Sequence, residues 1–500
     1  MLAVKPASGA VALFVCAAGV VLGLCGGAPA RADGIEPAPA APAACASPRD
    51  FVLTDCQLSW QGIRVYGTID AGAGWQSHGA PLNPEYPPGG SYLIQKMNRS
   101  PMWNYAPSPL TQSNIGIKGV EPVGSTLSVI FDLETAFSTY SFRLANGPGS
   151  QARNIGVPLN RQTTNGDASK EGQWFNNQGY LGLSSDRYGT LTAFWQNSLT
   201  LDALAGYDPM GGSYAFSPIG YHGDACGPGD TELCKGTSLK YRLNLRGLRL
   251  GVLWQFGDYR LGDGAKGTYE AQLGTDIPNL AKGTLSVDGL FSYARDAVST
   301  GIVSGGAGLN GDGAPIPPYL PQTLAATLSD ITGAMALASY SRGPVKWYGG
   351  YEWVQYAPPS DPTDGFVDIA GTPIGLIYNN GTEVNNTAFS AGAGFKDRIE
   401  QIVWTGFGYN ISPKIVAKVA YYRLFQNNYF RSGPNSNCDT AAHGQCAGAL
   451  QAVSGLLDWQ FLAKWDAYAG CMYSQVSGGM ANGYLKHNNV DPTVGLRLRF

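Results

Sequence analysis

Apolar and polar residues alternate with a period of two through most of the chain, and this pattern constrains the fold more than any other feature. In 238–246, leucine and tyrosine occupy the odd positions, and serine, lysine, arginine and asparagine occupy the even ones. Similar alternation occurs in 345–353, 459–473 and 493–500. Because successive side chains of a β-strand point to opposite faces, the sequence predicts an all-β fold whose strands have one apolar and one polar face.

Two architectures have strands of this kind, a soluble β-sandwich and a transmembrane antiparallel β-barrel. The alternating stretches exceed the ~5–6 residues of a typical globular strand and reach the roughly 9–11 residues that cross a bilayer. Aromatic residues cluster near the ends of these stretches, as in 347–348 and 421–422. Short connections such as 410–413 alternate with long ones such as 299–330 and 426–457. These features favour a closed barrel of about 16 strands, wide enough for an aqueous channel.

The composition disfavours several other functions. Charged residues make up 14% of the chain, against about 25% in an ordinary soluble domain. The formal net charge is −3, whereas nucleic-acid-binding domains have a basic excess, so no nucleic-acid partner is predicted. Four histidines in 500 residues leave little material for metal or acid–base chemistry. No catalytic residue, metal site or cofactor is predicted.

The N-terminus has the features of a signal peptide over residues 1–32. A basic residue precedes an apolar run over 11–24, and a motif of small residues suitable for cleavage follows. The run is too short to span a bilayer as a helix, although Cys25 leaves lipoprotein-type processing open. Residues 33–60 form an alanine- and proline-rich segment with a short disulfide loop, and 61–500 are predicted to form the barrel.

Six cysteines after the signal peptide fall into three close pairs, as expected of an exported protein in an oxidising compartment. The candidate disulfides are Cys45–Cys56, Cys226–Cys234 and Cys438–Cys446. Other pairings of the six remain open, and their spacing is not that of a zinc site. Cys471 is left over, and we interpret it as a small apolar residue of a strand.

Six segments, taken in order, carry a resemblance to a known family: 65–72 (VYGTIDAG), 113–122 (SNIGIKGVEP), 131–134 (FDLE), 179–185 (GYLGLSS), 188–192 (YGTLT) and 494–500 (VGLRLRF). The chain resembles the general trimeric porins of Gram-negative outer membranes, particularly the proteobacterial group. The motifs cover the first third and the C-terminus, whereas 250–400 matches mainly by pattern.

The resemblance implies a 16-stranded trimeric barrel in the outer membrane, through which small hydrophilic solutes and ions diffuse passively. It implies contact with membrane lipid and lipopolysaccharide. It also implies that Phe500, at the end of the last strand, is the signal read by the assembly machinery. The family pattern further includes a third outer loop folded into the lumen, its acidic groups facing basic residues on the wall.

In this chain the third loop falls between Gln196 and Gly236, with the 208–212 turn at its constricting tip. Its acidic residues are Asp202, Asp208, Asp224, Asp230 and Glu232. The candidates for the basic wall, all at polar-face positions of predicted strands, are Arg64, Lys118, Lys240, Arg242, Arg246 and Arg249. The sequence departs from the family pattern at Asn114 and at 195–196, where many relatives carry arginine, and this leaves ion selectivity open.

Two other functions stay open from the sequence. One is a substrate-selective channel with a specific lumen site for a saccharide or an anion, for which Tyr348 and Tyr468 are lumen candidates. The other is a barrel enzyme or adhesin, although no nucleophile motif of the GxSxG type occurs. We predict a channel and not an enzyme.

Overall fold

The computed structural model describes residues 44–81, 94, 98–140, 142, 144, 174–219, 235–245, 247–257, 265–303, 308–309, 315–316, 322–357, 360, 377–379, 382–384, 397–429 and 437–500. Within these ranges the helices are α1 (Pro48–Leu53), α2 (Leu199–Tyr207) and a 3₁₀ turn at Gly479–Ala481. None of these helices is long and apolar enough to cross a membrane.

The strands of the described ranges are β1 (Leu58–Trp60), β2 (Ile63–Gly79), β3 (Ser100–Pro107), β4 (Asn114–Pro122), β5 (Ser128–Ala136), β6 (Gln178–Ser185), β7 (Gly189–Asn197), β8 (Lys235–Leu245), β9 (Leu248–Gln255), β10 (Gly267–Leu280), β11 (Gly283–Val303), β12 (Gly308–Leu309), β13 (Pro315–Ile316), β14 (Gln322–Arg342), β15 (Val345–Ala357), β16 (Ile377–Asn379), β17 (Thr382–Val384), β18 (Arg398–Ser412), β19 (Ile415–Gln426), β20 (Gly448–Leu462), β21 (Trp465–Gly478) and β22 (Asn488–Arg499).

The long strands form one closed antiparallel barrel. Each pairs with its neighbour along the chain, and β22 returns to pair with β2 from Thr68↔Arg499 to Gly74↔Thr493. Both β3 and β4 pair with the same side of β2, so together they make one interrupted barrel strand. The barrel therefore has 16 strands, as the sequence predicts. The hairpins β12–β13 and β16–β17 are separate from it.

The two faces of the barrel strands differ as the alternation predicts. On β18, Val403 and Phe407 are exposed while the even-numbered Ile402 and Trp404 are buried. On β22, Val494 and Leu496 are 53% and 52% exposed. Exposed apolar side chains on strand after strand are stable next to lipid and not next to water, so this face is the outer one. The opposite face carries most of the charged residues.

The sequence pattern missed one turn. The alternation of 459–473 continues without a break, yet the structure turns at Ala463–Lys464 and divides the stretch between β20 and β21. The register explains this, because Trp459 pairs with Ala467 and odd-numbered residues face odd-numbered ones across the hairpin. Odd-numbered residues therefore lie on the same face before and after the turn, and the alternation does not reveal it.

Two of the predicted disulfides are present. Cys45–Cys56 closes a loop that contains α1, directly before the β1–β2 hairpin. Cys438–Cys446 closes a loop between β19 and β20. Cys226 and Cys234 lie outside the described residues. Cys471 is free and exposed.

Candidate pore constriction

The 198–219 segment follows β7 and begins with α2. Ser198 caps this helix, since its side chain accepts a hydrogen bond from the Leu201 N–H at 3.0 Å. One side of the helix is buried, including Leu199, Leu204 and Tyr207. A short helix with an apolar side needs a partner surface, and the barrel wall supplies it.

The buried side of α2 contacts three strands of the wall. The Leu199 N–H donates to the Glu270 carboxylate on β10, and the Tyr207 hydroxyl donates to Asp288 on β11. The Trp404 ring nitrogen Nε1 on β18 donates to the Tyr207 carbonyl at 3.0 Å. These bonds fix both ends of the helix to the wall.

The rest of the segment contacts strands further round the barrel. The Phe216 ring meets the Tyr468 ring of β21 edge-on, with centroids 6.4 Å apart. The Ala215 N–H donates to the Pro109 carbonyl in the linker between β3 and β4 at 2.9 Å. The strand residues that contact the segment all belong to the face opposite the exposed apolar one.

Asp202 is held by two basic side chains of β8. Its carboxylate lies 2.8 Å from Lys240 Nζ and also pairs with Arg242, and the Asn197 amide donates to it at 3.0 Å. Burial alone would raise the pKa of Asp202, but the two cations outweigh burial and lower the pKa below its usual value. Asp202 is therefore an anchor between the segment and the wall.

Asp208, predicted at the tip of the constriction, is buried at 1% exposure. It accepts hydrogen bonds from the Tyr422 hydroxyl of β19 at 2.6 Å and from the N–H groups of Met210 and Gly212 at 3.2 and 2.6 Å. Burial raises the pKa of Asp208 above its usual value. The structure thus places this carboxylate against the wall and not at an open surface.

Small residues form the exposed side of the segment. Ala205, Gly206 and Gly211 are exposed, and a side-chain carbon added at either of these glycines would meet no atom within 4 Å. Gly211 and Gly212 have φ angles of 66° and 70°, a conformation that glycine adopts without a steric penalty. The turn and the open space beside it both depend on residues without large side chains.

Arg249 on β9 is paired inside the wall. It lies 2.7 Å from Asp276 and 2.8 Å from Asp288, and it also donates to the Tyr207 hydroxyl at 3.2 Å. Of the six basic wall candidates, Lys240, Arg242 and Arg249 are thus drawn together around α2.

Arg64 and Lys118 lie apart from that group. They are direct cross-strand partners on β2 and β4, and Lys118 Nζ lies 4.5 Å from the centroid of the Tyr66 ring. The Tyr66 hydroxyl donates to Asp132 on β5 at 2.5 Å. Arg64 and Lys118 therefore bring two positive charges to one position on the wall.

Four of the predicted pore residues lie outside the described residues: Asp224, Asp230, Glu232 and Arg246.

Sequence reasoning did not single out the wall residues that hold the segment. Glu270 and Asp288 occupy polar-face positions, and the period-two pattern indicates their face. Trp404 and Tyr422 look like membrane-facing aromatics in sequence, but the structure buries both on the inner face. In the sequence, their inward orientation is indicated only by the alternation, because each directly follows an outward-facing residue, Val403 or Tyr421.

A closed barrel with an apolar outer face and charged side chains on the inner face defines a transmembrane β-barrel of the channel-forming class. Residues 35–429 match the family model for Gram-negative porins, and the chain belongs to this family. It is an outer-membrane channel for passive diffusion. Among proteins with curated descriptions, none matches the chain in sequence.

Solved structures share the fold. The anion-selective porin from Comamonas acidovorans is 14% identical, covers 88% of this chain and 99% of its own, and has a TM-score of 0.53. A loop L8 deletion mutant of OmpT, an outer membrane protein of Vibrio cholerae, is 12% identical, with 88% and 99% coverage and a TM-score of 0.50. The outer membrane channel DcaP of Acinetobacter baumannii is 12% identical, with the same coverage and a TM-score of 0.47.

Proposed function

We propose that this porin passes small hydrophilic solutes and ions through a water-filled bore that the 198–219 segment narrows. The observation that supports this is the set of partners of the segment, which runs from β10 through β18 and β19 to β21. These strands lie far apart around a closed barrel. A segment of this length meets all of them by crossing the interior.

The open path then lies on the unanchored side of the segment. Its small residues, Ala205, Gly206 and Gly211, face the part of the bore that the segment leaves open. Solutes pass between these residues and the inner faces of the first strands of the barrel, where Lys118 lies.

Fixed charges beside a narrow wet bore orient polar solutes and determine ion preference. The two described carboxylates of the segment are already engaged, Asp202 with Lys240 and Arg242 and Asp208 with Tyr422. The field beside this part of the segment therefore depends mainly on the charged residues of the wall.

The remaining expectations belong to the same proposal. The chain acts as a channel and not as an enzyme, assembles as a trimer, contacts lipopolysaccharide and loses residues 1–32 on export. Phe500 serves as the assembly signal. Its N–H donates to the Gly67 carbonyl and the Gly67 N–H donates to its carbonyl, each at 3.0 Å, so it ends directly on the first barrel strand.

Planar-bilayer recording of the purified protein tests the proposal. We expect ohmic channels that close in three steps, one for each protomer of a trimer. Single-step closures would contradict the trimer alone. A folded barrel that adds no conductance at any applied voltage would overturn the proposed function.

A further inference from the structure

Most carboxylates on the inner face are buried and already hydrogen-bonded within the protein. Asp70 accepts from the N–H groups of Leu110 and Thr111, both at 2.7 Å. Asp491 accepts from the Gln76 amide and the Thr493 hydroxyl, both at 3.0 Å. These acids, each no more than 1% exposed, act as internal acceptors and are shielded from solutes in the bore.

Two lysines of the inner face, in contrast, have no carboxylate partner among the described residues. Lys346 on β15 and Lys418 on β19 are half-buried, and neither forms an ion pair with any residue that the structure describes. Their neighbours Val345 and Val419 are exposed on the outer face, so both lysines point into the barrel. A cation on the inner wall without a carboxylate partner is available to an anion in the bore.

The two lysines face each other across one glycine. In the register of the sheet Lys346 pairs with Gly408 of β18, and Gly408 pairs with Lys418. Adjacent strands are about 4.8 Å apart, so the two lysine backbones are separated by roughly 10 Å. Two long ammonium side chains that flank a glycine can converge on one anion.

The Tyr348 ring packs beside the glycine that separates the two lysines. A side-chain carbon added at Gly408 would come no closer than 3.7 Å to another atom, and that atom belongs to the Tyr348 ring. Lys346 Nζ lies 4.6 Å from the centroid of the same ring. Lys346, Lys418 and Tyr348 thus lie around Gly408 on the inner face, and we call this group the lysine recess.

The two carboxylates whose charge acts on Lys418 are bound to other residues. Asp208 and Asp458 are the carboxylates whose charge acts on Lys418. Asp208 is bound by Tyr422, and Asp458 pairs with Arg497 at 3.3 Å. Arg497 neutralises Asp458, and the two lysines outnumber Asp208, so the recess keeps a net positive character.

The lysine recess lies close to the 198–219 segment, on the path of a solute through the bore. Pro209 of the 198–219 segment lies against Gly406, two residues along β18 from Gly408. Lys346 follows the short turn between β14 and β15 closely, so the recess lies between the segment and the end of the barrel that carries the short turns. A solute that has passed the narrowing meets it next.

We propose that the lysine recess is a binding site for the carboxylate or phosphate group of a solute, and that this porin favours anionic solutes. The inference rests on the proposed channel function. Lys346 and Lys418 supply the charge, and the Tyr348 hydroxyl is the hydrogen-bond donor within the recess.

The test compares two double variants of the full-length protein in planar bilayers. K346Q/K418Q removes the charges of the recess, and K282Q/K414Q removes two charges from exposed turn positions at the same end of the barrel. The anion/cation permeability ratio is measured from reversal potentials in a KCl gradient. Inhibition of the chloride current by added inorganic phosphate is then titrated.

We expect anion preference in the wild type and in K282Q/K414Q. In K346Q/K418Q the permeability ratio should fall about threefold or more, and the phosphate concentration for half-inhibition should rise about tenfold. Equal heat-modifiable migration on gels confirms that all variants are folded. Channels that conduct without anion preference, or whose phosphate response survives in K346Q/K418Q, would overturn this inference alone. Only the absence of any channel would overturn the proposed function.

Discussion

At the residue scale, Asp202 is a predicted pore charge that the structure uses to attach the segment to the wall. Its position in the third loop fits the acidic side of a constriction, but it is paired with Lys240 and Arg242 on the adjacent wall. An ion pair with two cations in a partly buried site is strongly coupled to the fold. The carboxylate therefore neutralises wall charge that would otherwise face the bore.

Replacing Asp202 with asparagine tests this role. D202N frees Lys240 and Arg242, so we expect the anion/cation permeability ratio to rise about twofold. The lowered pKa keeps the ion pair intact above the ordinary aspartate value of about 3.9, and its stabilisation is lost only as the pH falls through the lowered pKa. The difference in permeability ratio between the wild type and D202N should therefore persist from neutral pH down to about pH 4.

The exposed turn residue Asp186 provides the matched control. D186N removes the same charge outside the site and should leave the permeability ratio unchanged. An unchanged ratio in D202N as well would show that Asp202 does not screen the basic wall.

At the scale of elements, the 198–219 segment is held by a few specific contacts as well as by apolar packing. The Tyr422 hydroxyl binds Asp208, and the Trp404 ring nitrogen binds the Tyr207 carbonyl. Both anchors lie at the point where α2 ends and the glycine turn begins. Loosening this point should let the segment move in the bore.

Tyr422→Phe removes one hydrogen bond to a buried carboxylate, a change that costs about 1–3 kcal/mol. We expect noisier single-channel currents and a larger mean conductance in Y422F. The neighbouring Tyr421 faces outward and donates a long hydrogen bond of 3.4 Å to Gln451, so Y421F is the matched control and should record like the wild type. Quiet Y422F channels of wild-type size would exclude an anchoring role for this hydroxyl.

The alternation in the sequence predicts the strands and the faces of their residues, and it places Lys240 and Arg242 on the inner face. It does not predict their partners. Asp208 and Tyr422 are 214 positions apart in the chain, and a pattern of period two contains no information about contacts across the barrel. For the same reason it could not show that Asp208 is buried, because burial depends on how the segment crosses to β19.

At the scale of the whole molecule, the disulfide loop near the N-terminus covers the seam where the barrel closes. The Phe51 ring of α1 meets the Phe500 ring with centroids 5.4 Å apart. Lys464, in the turn before β21, donates to the Phe51 carbonyl at 3.1 Å and lies 4.4 Å from the centroid of its ring. Burial lowers the pKa of Lys464. The seam is thus held by side chains in addition to the β2–β22 pairing.

Removing the Cys45–Cys56 disulfide should weaken this cover. Disulfides of small loops contribute roughly 2–4 kcal/mol, so we expect C45S/C56S to lower the temperature at which the folded barrel converts to its unfolded gel mobility. C471S removes a free cysteine on the outer face and should leave that temperature unchanged. Equal midpoints for C45S/C56S, C471S and the wild type would mean that the disulfide loop does not support the seam.

Docking of the disulfide loop on the seam also implies an order of events during folding. Phe51 docks on Phe500 and on the turn that precedes β21, more than 400 positions later in the chain. The disulfide itself is local and can form early, but its docking surface is complete only after the last strand has reached the first. A polypeptide stopped short of β22 lacks the Phe500 ring, so a loop docked on Phe500 reports that the cylinder has been completed.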